Sequence, residues 1–77
     1  MATGFVLITT QAGQEIAVRD AVGKIANVTG QWIVFGLHDL FVKVEAEDEA
    51  ELTRCIVKDV RSILGIAETR TLIGAEI

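Results

Sequence analysis

The chain of 77 residues is long enough for one domain, and its 7 Lys and Arg against 11 Asp and Glu give a net charge of −4. The basic residues Arg19, Lys24, Lys43, Arg54, Lys58, Arg61 and Arg70 are scattered, so the basic footprint that direct DNA or RNA binding requires is missing. Apolar residues make up 51% of the sequence and mean hydropathy is +0.46, more than a domain that buries about 60–65% of its unfolded surface can hide by itself, so oligomerisation is expected.

The N-terminus has neither a basic leader region nor an apolar run longer than Phe5 to Ile8, which disfavours secretion and membrane insertion. A single cysteine, Cys55, excludes an internal disulfide and favours a reducing cytoplasm.

In chain order, Gly4 to Thr10 is a β-branched run, apolar at both alternation phases, and reads as a strand buried on both faces. After the Gln11-Ala12-Gly13 break, residues 14 to 26 carry helical spacing, with Val18, Val22 and Ile25 as the apolar stripe and Asn27 as the close. Gly23 weakens that helix by about 1 kcal/mol against Ala, so packing must hold it.

A second strand is expected over Val28 to Phe35 and a third over Leu40 to Ala46. Between them Gly36-Leu37-His38-Asp39 has turn chemistry: Gly36 tolerates positive φ, and the Asp39 carboxylate can accept from nearby backbone amides. On the third strand Leu40, Val42 and Val44 point one way and Phe41, Lys43 and Glu45 the other.

Asp48 is the expected N-cap of a second helix, because Glu51 follows three residues on and Glu49 adds charge where the helix dipole favours it. The acidic run around it lacks the glycine and ligand spacing of a calcium loop. Leu52, Ile56, Val60 and Ile63 form the buried stripe, Gly65 the stop, and Ile66 to Ile73 the last strand, with Ala67, Thr69, Thr71 and Ile73 on one face.

The order β-α-β-β-α-β gives an α+β fold of the ferredoxin-like type, a four-stranded antiparallel sheet with both helices on one face and the other face bare. No catalytic residue set emerges. Cys55 falls within the helical core stripe, His38 lacks a nearby nucleophile, one His is too few for a metal site, and Gly36 has no glycine-rich neighbours to cradle a phosphate. No metal or cofactor is expected.

The stretch Val34-Phe35-Gly36-Leu37-His38-Asp39-Leu40, the Val42 to Ala46 strand and the close Gly65-Ile66-Ala67-Glu68-Thr69-Arg70-Thr71-Leu72-Ile73 resemble the effector (RAM) domain of Lrp/AsnC transcription regulators. In that family a Gly-x-x-Asp turn joins the central strands and a Gly-Val-x-x-Thr-x-Thr-like segment forms the last one; Ile66 replaces the usual Val, and Gly74 stands where a β-branched residue is common. The resemblance covers nearly the whole chain, residues 1 to 77 as one domain without the winged helix-turn-helix of full-length regulators, and a natural stand-alone domain is expected. It implies dimers formed through the bare sheet faces, four of them often closing into a ring, an octamer. It also implies a free amino acid bound between dimers by Gly36, Leu37, His38, Asp39 and Leu40 of one and Thr69, Thr71 and Ile73 of a neighbour, with full-length regulators as further partners. The alternatives are an ACT-type amino-acid-binding domain, whose ligand loop would be Gln11 to Gly13, and a small dimeric ferredoxin-like enzyme, which would need polar pocket residues that this sequence lacks.

Overall fold

A computed structural model describes residues 1–73; Gly74 lies outside them. The elements are β1 (Ala2–Thr10), α1 (Glu15–Gly23), β2 (Val28–Ile33), β3 (Leu40–Ala46), α2 (Glu49–Cys55), which runs directly into a π-helical turn (Ile56–Val60), and β4 (Ile66–Ile73). The strands form one antiparallel sheet in the order β2-β3-β1-β4, the ferredoxin-like arrangement expected.

Strand alternation decides which residues meet the helices. Val6 and Ile8 of β1 are fully buried, as are Val42 and Val44 of β3, with Leu40 and Ala46 nearly so, and they pack under Val18, Val22, Leu52, Cys55, Ile56 and Val60. The other phase of β1 is only half-buried at Phe5 and Leu7. The expectation that this strand is buried on both faces therefore holds for one face of the single chain; the second face lies on the bare side of the sheet. There the Phe41 ring lies tilted at 5.2 Å from Phe5 and edge-on at 5.8 Å from Trp32, an aromatic row across three adjacent strands.

Local structure departs from the sequence reading at several points. Helix α1 stops at Gly23, short of residue 26, and the next two N–H groups, of Lys24 and Ile25, turn tightly back to the carbonyls of Ala21 and Val22. Gln31 of β2 fills the gap, donating from Nε2 to the Arg19 carbonyl at 3.1 Å. A Cβ at position 23 would stand 3.2 Å from that same Nε2, so Gly23 admits the Gln31 amide against the helix end.

Asp48 caps α2 as expected, its Oδ1 accepting from the Glu51 N–H at 2.8 Å, but Glu51 pairs with Arg54 at 3.5 Å in place of the reciprocal capping bond. The following π-helical turn was not legible: the Arg61 N–H bonds back five residues to the Ile56 carbonyl at 2.9 Å. The stripe Leu52, Ile56, Val60 stays buried through it. Gly65, at φ +98°, then reverses the chain, and its carbonyl accepts from the Gln11 N–H at 2.7 Å. Along β4 a register shift opposite Thr9 and Thr10 removes Ala67 from the alternation, so Thr69, Thr71 and Ile73 pair with Ile8, Val6 and Gly4 on the helix side without it.

Candidate functional site

The β2–β3 connection is tied down by the end of β1. Pairing of β2 ends at Ile33, two residues short of the expected Phe35, although the Val34 N–H still reaches the Asp39 carbonyl at 3.0 Å. Gly36 takes φ +123°, as its place in the turn requires. The Asp39 N–H donates to the Ile8 carbonyl at 2.8 Å, and the Asp39 carboxylate accepts from the Thr10 N–H at 2.8 Å and the Thr10 hydroxyl at 3.1 Å. The Asp39 carboxylate thus bonds a different strand, not the backbone of its own turn as the sequence suggested.

Next to it the Thr9 hydroxyl donates to the Leu37 carbonyl at 3.0 Å and lies 3.2 Å from His38 Nδ1. With its hydrogen given to that carbonyl, the Thr9 oxygen keeps lone pairs that can accept from Nδ1. Phe35 and Leu37 stand almost fully exposed on either side of Gly36. Neither Thr9 nor Thr10 was singled out in the sequence, where a Thr pair closing a strand reads as ordinary β-forming residues.

Two clefts border residues of the expected site. One, of about 240 Å³, lies between α1 and the connection: Ile16, Ile33, Val34, Phe35 and Leu40 give it apolar walls, and Glu15, Arg19 and Asp39 border it. Arg19 is held by Asp20 at 3.2 Å. The other, of about 160 Å³, is a groove between the π-helical turn and β4, with Thr53, Ile56, Val57, Arg61, Thr71 and Ile73 around it.

The sequence-derived site is therefore divided. Asp39 and Leu40 border the first cleft, Leu40 as a core residue 2% exposed, while Thr71 and Ile73 border the second. Strand β1 stands between them: Ile8 pairs with Leu40 on one side and Thr69 on the other, which puts those two backbones roughly 10 Å apart at the usual strand spacing. Thr71 and Ile73 lie further along β4 from the turn. One chain does not bring turn and last strand into a single pocket.

Cys55 and the acidic side chains do not assemble into a reactive group among the described residues. Cys55 is fully buried, and its thiol is pushed above its ordinary pKa by that burial first and by the Asp59 carboxylate second. Among the described residues no three His, Cys, Asp or Glu side chains group as a metal site, and no helix is long and apolar enough to cross a membrane. The Gln11 to Gly13 loop that an ACT-type site would use borders neither cleft, and the Gln11 backbone bonds Gly65 and Gln14.

Comparison with known proteins gives the family. The family model for the Lrp/AsnC ligand binding domain matches residues 3–76. An HTH-type transcriptional regulator of Pyrococcus horikoshii is 30% identical over 75 residues, which cover 94% of this chain and 50% of the regulator. The chain thus spans about half the length of the curated relatives it matches. Among solved structures, FFRP-DM1 superposes with a TM-score of 0.92 at 33% identity, covering 97% of this chain and all of that one. The hypothetical protein PHS023 of P. horikoshii superposes with a TM-score of 0.90 at 32% identity over the whole of this chain and 93% of its own. The family model spans nearly the whole chain, and the chain belongs to the Lrp/AsnC ligand-binding domain family.

Proposed function

We propose that this domain is a non-enzymatic sensor that binds a free amino acid in a site completed by a second dimer, and that its state of assembly modulates transcription regulators of its family. The division of the predicted site across β1 carries the reading. The turn residues Gly36, Leu37, His38, Asp39 and Leu40 and the β4 residues Thr69, Thr71 and Ile73 can share one ligand when the turn of one copy meets β4 of another. Exposed Phe35 and Leu37 supply apolar surface for that meeting.

The bare sheet face, with Phe5, Trp32 and Phe41 at its centre, is the surface through which two copies pair, and four such dimers closing into a ring would give each turn a neighbouring β4. Because the chain has no basic patch, its action on transcription passes through full-length cytoplasmic regulators, by co-assembly or by drawing ligand from them. A thermal-shift screen of the twenty amino acids, paired with light scattering, tests this. A ligand at 100 times its dissociation constant adds about 2.7 kcal/mol of stability and raises the melting temperature. A protein that stays an 8.3 kDa monomer and melts at one temperature with all twenty overturns the reading.

A further inference from the structure

The groove between the π-helical turn and β4 combines apolar walls with a charge. Ile56, Val57 and Ile73 supply the walls, Thr53 and Thr71 offer hydroxyls, and Arg61 is the charged residue bordering it. Arg54 pairs with Glu51, whereas Arg61, like Lys58 on the same turn, has no ion-pair partner among the described residues, and of the two only Arg61 borders this groove. At about 160 Å³ the groove suits a molecule well below drug size.

Arg61 closes the π-helical turn through its backbone N–H. Five residues of α-helix would rotate Arg61 roughly 140° away from Ile56. The bond from the Arg61 N–H to the Ile56 carbonyl, five residues back, closes a wider turn, and Ile56, Val57 and Arg61 border one groove. A guanidinium beside aliphatic walls matches a ligand with one carboxylate head and an apolar tail, since the planar fork takes two carboxylate oxygens at once.

We propose that Arg61 binds the carboxylate of an aliphatic amino acid in the groove between the π-helical turn and β4. This rests on the amino-acid-sensing reading above and adds to it a residue that neither the turn nor the Thr69 to Ile73 segment contains. Arg61 fixes the head of the ligand while Ile56, Val57 and Ile73 select its side chain.

Calorimetric titration of the assembled protein with L-leucine, L-leucinamide and 4-methylpentanoate tests it, in wild type, Arg61→Gln and Arg61→Lys. Wild type should bind the two carboxylates more tightly than the amide. Arg61→Gln should weaken both carboxylates about tenfold or more and leave the amide unchanged, with Arg61→Lys in between. Arg61 is exposed, so a matching circular-dichroism melt of each variant establishes that folding is intact. Equal carboxylate affinities in wild type and Arg61→Gln, or no heat from any of the three probes, overturn the inference. If the twenty-amino-acid screen still finds a ligand, that failure leaves the proposed function standing; if the screen finds none, both fall.

Discussion

The carboxylate of Asp39 and the backbone and hydroxyl of Thr10, 29 residues apart in sequence, form a two-point latch that holds the β2–β3 connection against the end of β1. Thr10 is 8% exposed, so its donors have little water to turn to if the carboxylate is removed. Asp39→Ala should therefore cost about 1–3 kcal/mol of folding stability, and Thr10→Val, which keeps the N–H bond and loses only the hydroxyl, about 1 kcal/mol. Asp39→Asn retains an acceptor oxygen and should lie between wild type and Asp39→Ala. Urea unfolding of the single and double variants checks this; additive effects of Asp39→Ala and Thr10→Val would dissolve the latch, because coupled partners give less than the sum.

Gly36 and Gly65 share a positive φ, +123° and +98°, but not the same surroundings. A Cβ at Gly36 meets nothing within 4 Å, whereas one at Gly65 meets Gln14 Cβ and Val18 Cγ2 at 3.0 Å. Gly36→Ala should cost about 1 kcal/mol from backbone strain alone. Gly65→Ala adds a clash with the fully buried Val18 and should cost distinctly more, about 2–4 kcal/mol. Thermal melts of the two variants side by side read the difference directly, and equal losses would mean that the contacts at Gly65 relax freely.

What the sequence disclosed was local, and what it withheld was long-range. The Asp48 cap, the Gly36 turn and the span Ile66–Ile73 each rest on neighbours within a few positions, and each stands where the residues put it, whereas the second helix, expected to run past Ile63 to a stop at Gly65, ends at Val60. The partner of Asp39 could not be read, because a carboxylate in a turn has the same local chemistry whether it caps that turn or reaches Thr10. Gly23 read as a weak point until Gln31 was seen against it. The π-helical turn was hidden because Leu52, Ile56 and Val60 keep the spacing of an ordinary helix. The separation of the turn from Thr71 and Ile73 depends on strand order alone, with β1 between β3 and β4, and no spacing within the sequence records that.

Phe41 sits at the middle of the bare face, between Phe5 and Trp32, on the side of β3 opposite the core residues Leu40 and Val42. A charge placed there should break pairing between copies without unfolding the domain. Phe41→Glu is expected to convert the assembled protein to monomer by light scattering while keeping its far-ultraviolet circular dichroism. Trp32 is about half exposed in the single chain, so its fluorescence should move to longer wavelength in the same variant as the partner leaves. An assembly that survives Phe41→Glu would move the dimer surface to another face.

Cys55 gives the chain a pH dependence on its alkaline side. Its thiol is raised in the folded state, chiefly by burial and then by the Asp59 carboxylate beside it, while in the unfolded chain it ionises near the ordinary value of about 8.5. Between those two values the unfolded state releases a proton that the folded state keeps, so the unfolded state binds fewer protons and stability falls as pH rises. Below about pH 8.5 both states are protonated and the effect vanishes. Under reducing conditions wild type should lose more stability between pH 7 and pH 10 than Cys55→Ala, which lacks the thiol and pays instead a pH-independent loss of about 1 kcal/mol for the small cavity. The same burial predicts that a thiol reagent modifies Cys55 only as fast as the domain opens, in step with urea concentration. Identical pH profiles for the two proteins, or rapid labelling of the native state, would show that the thiol reaches solvent without unfolding.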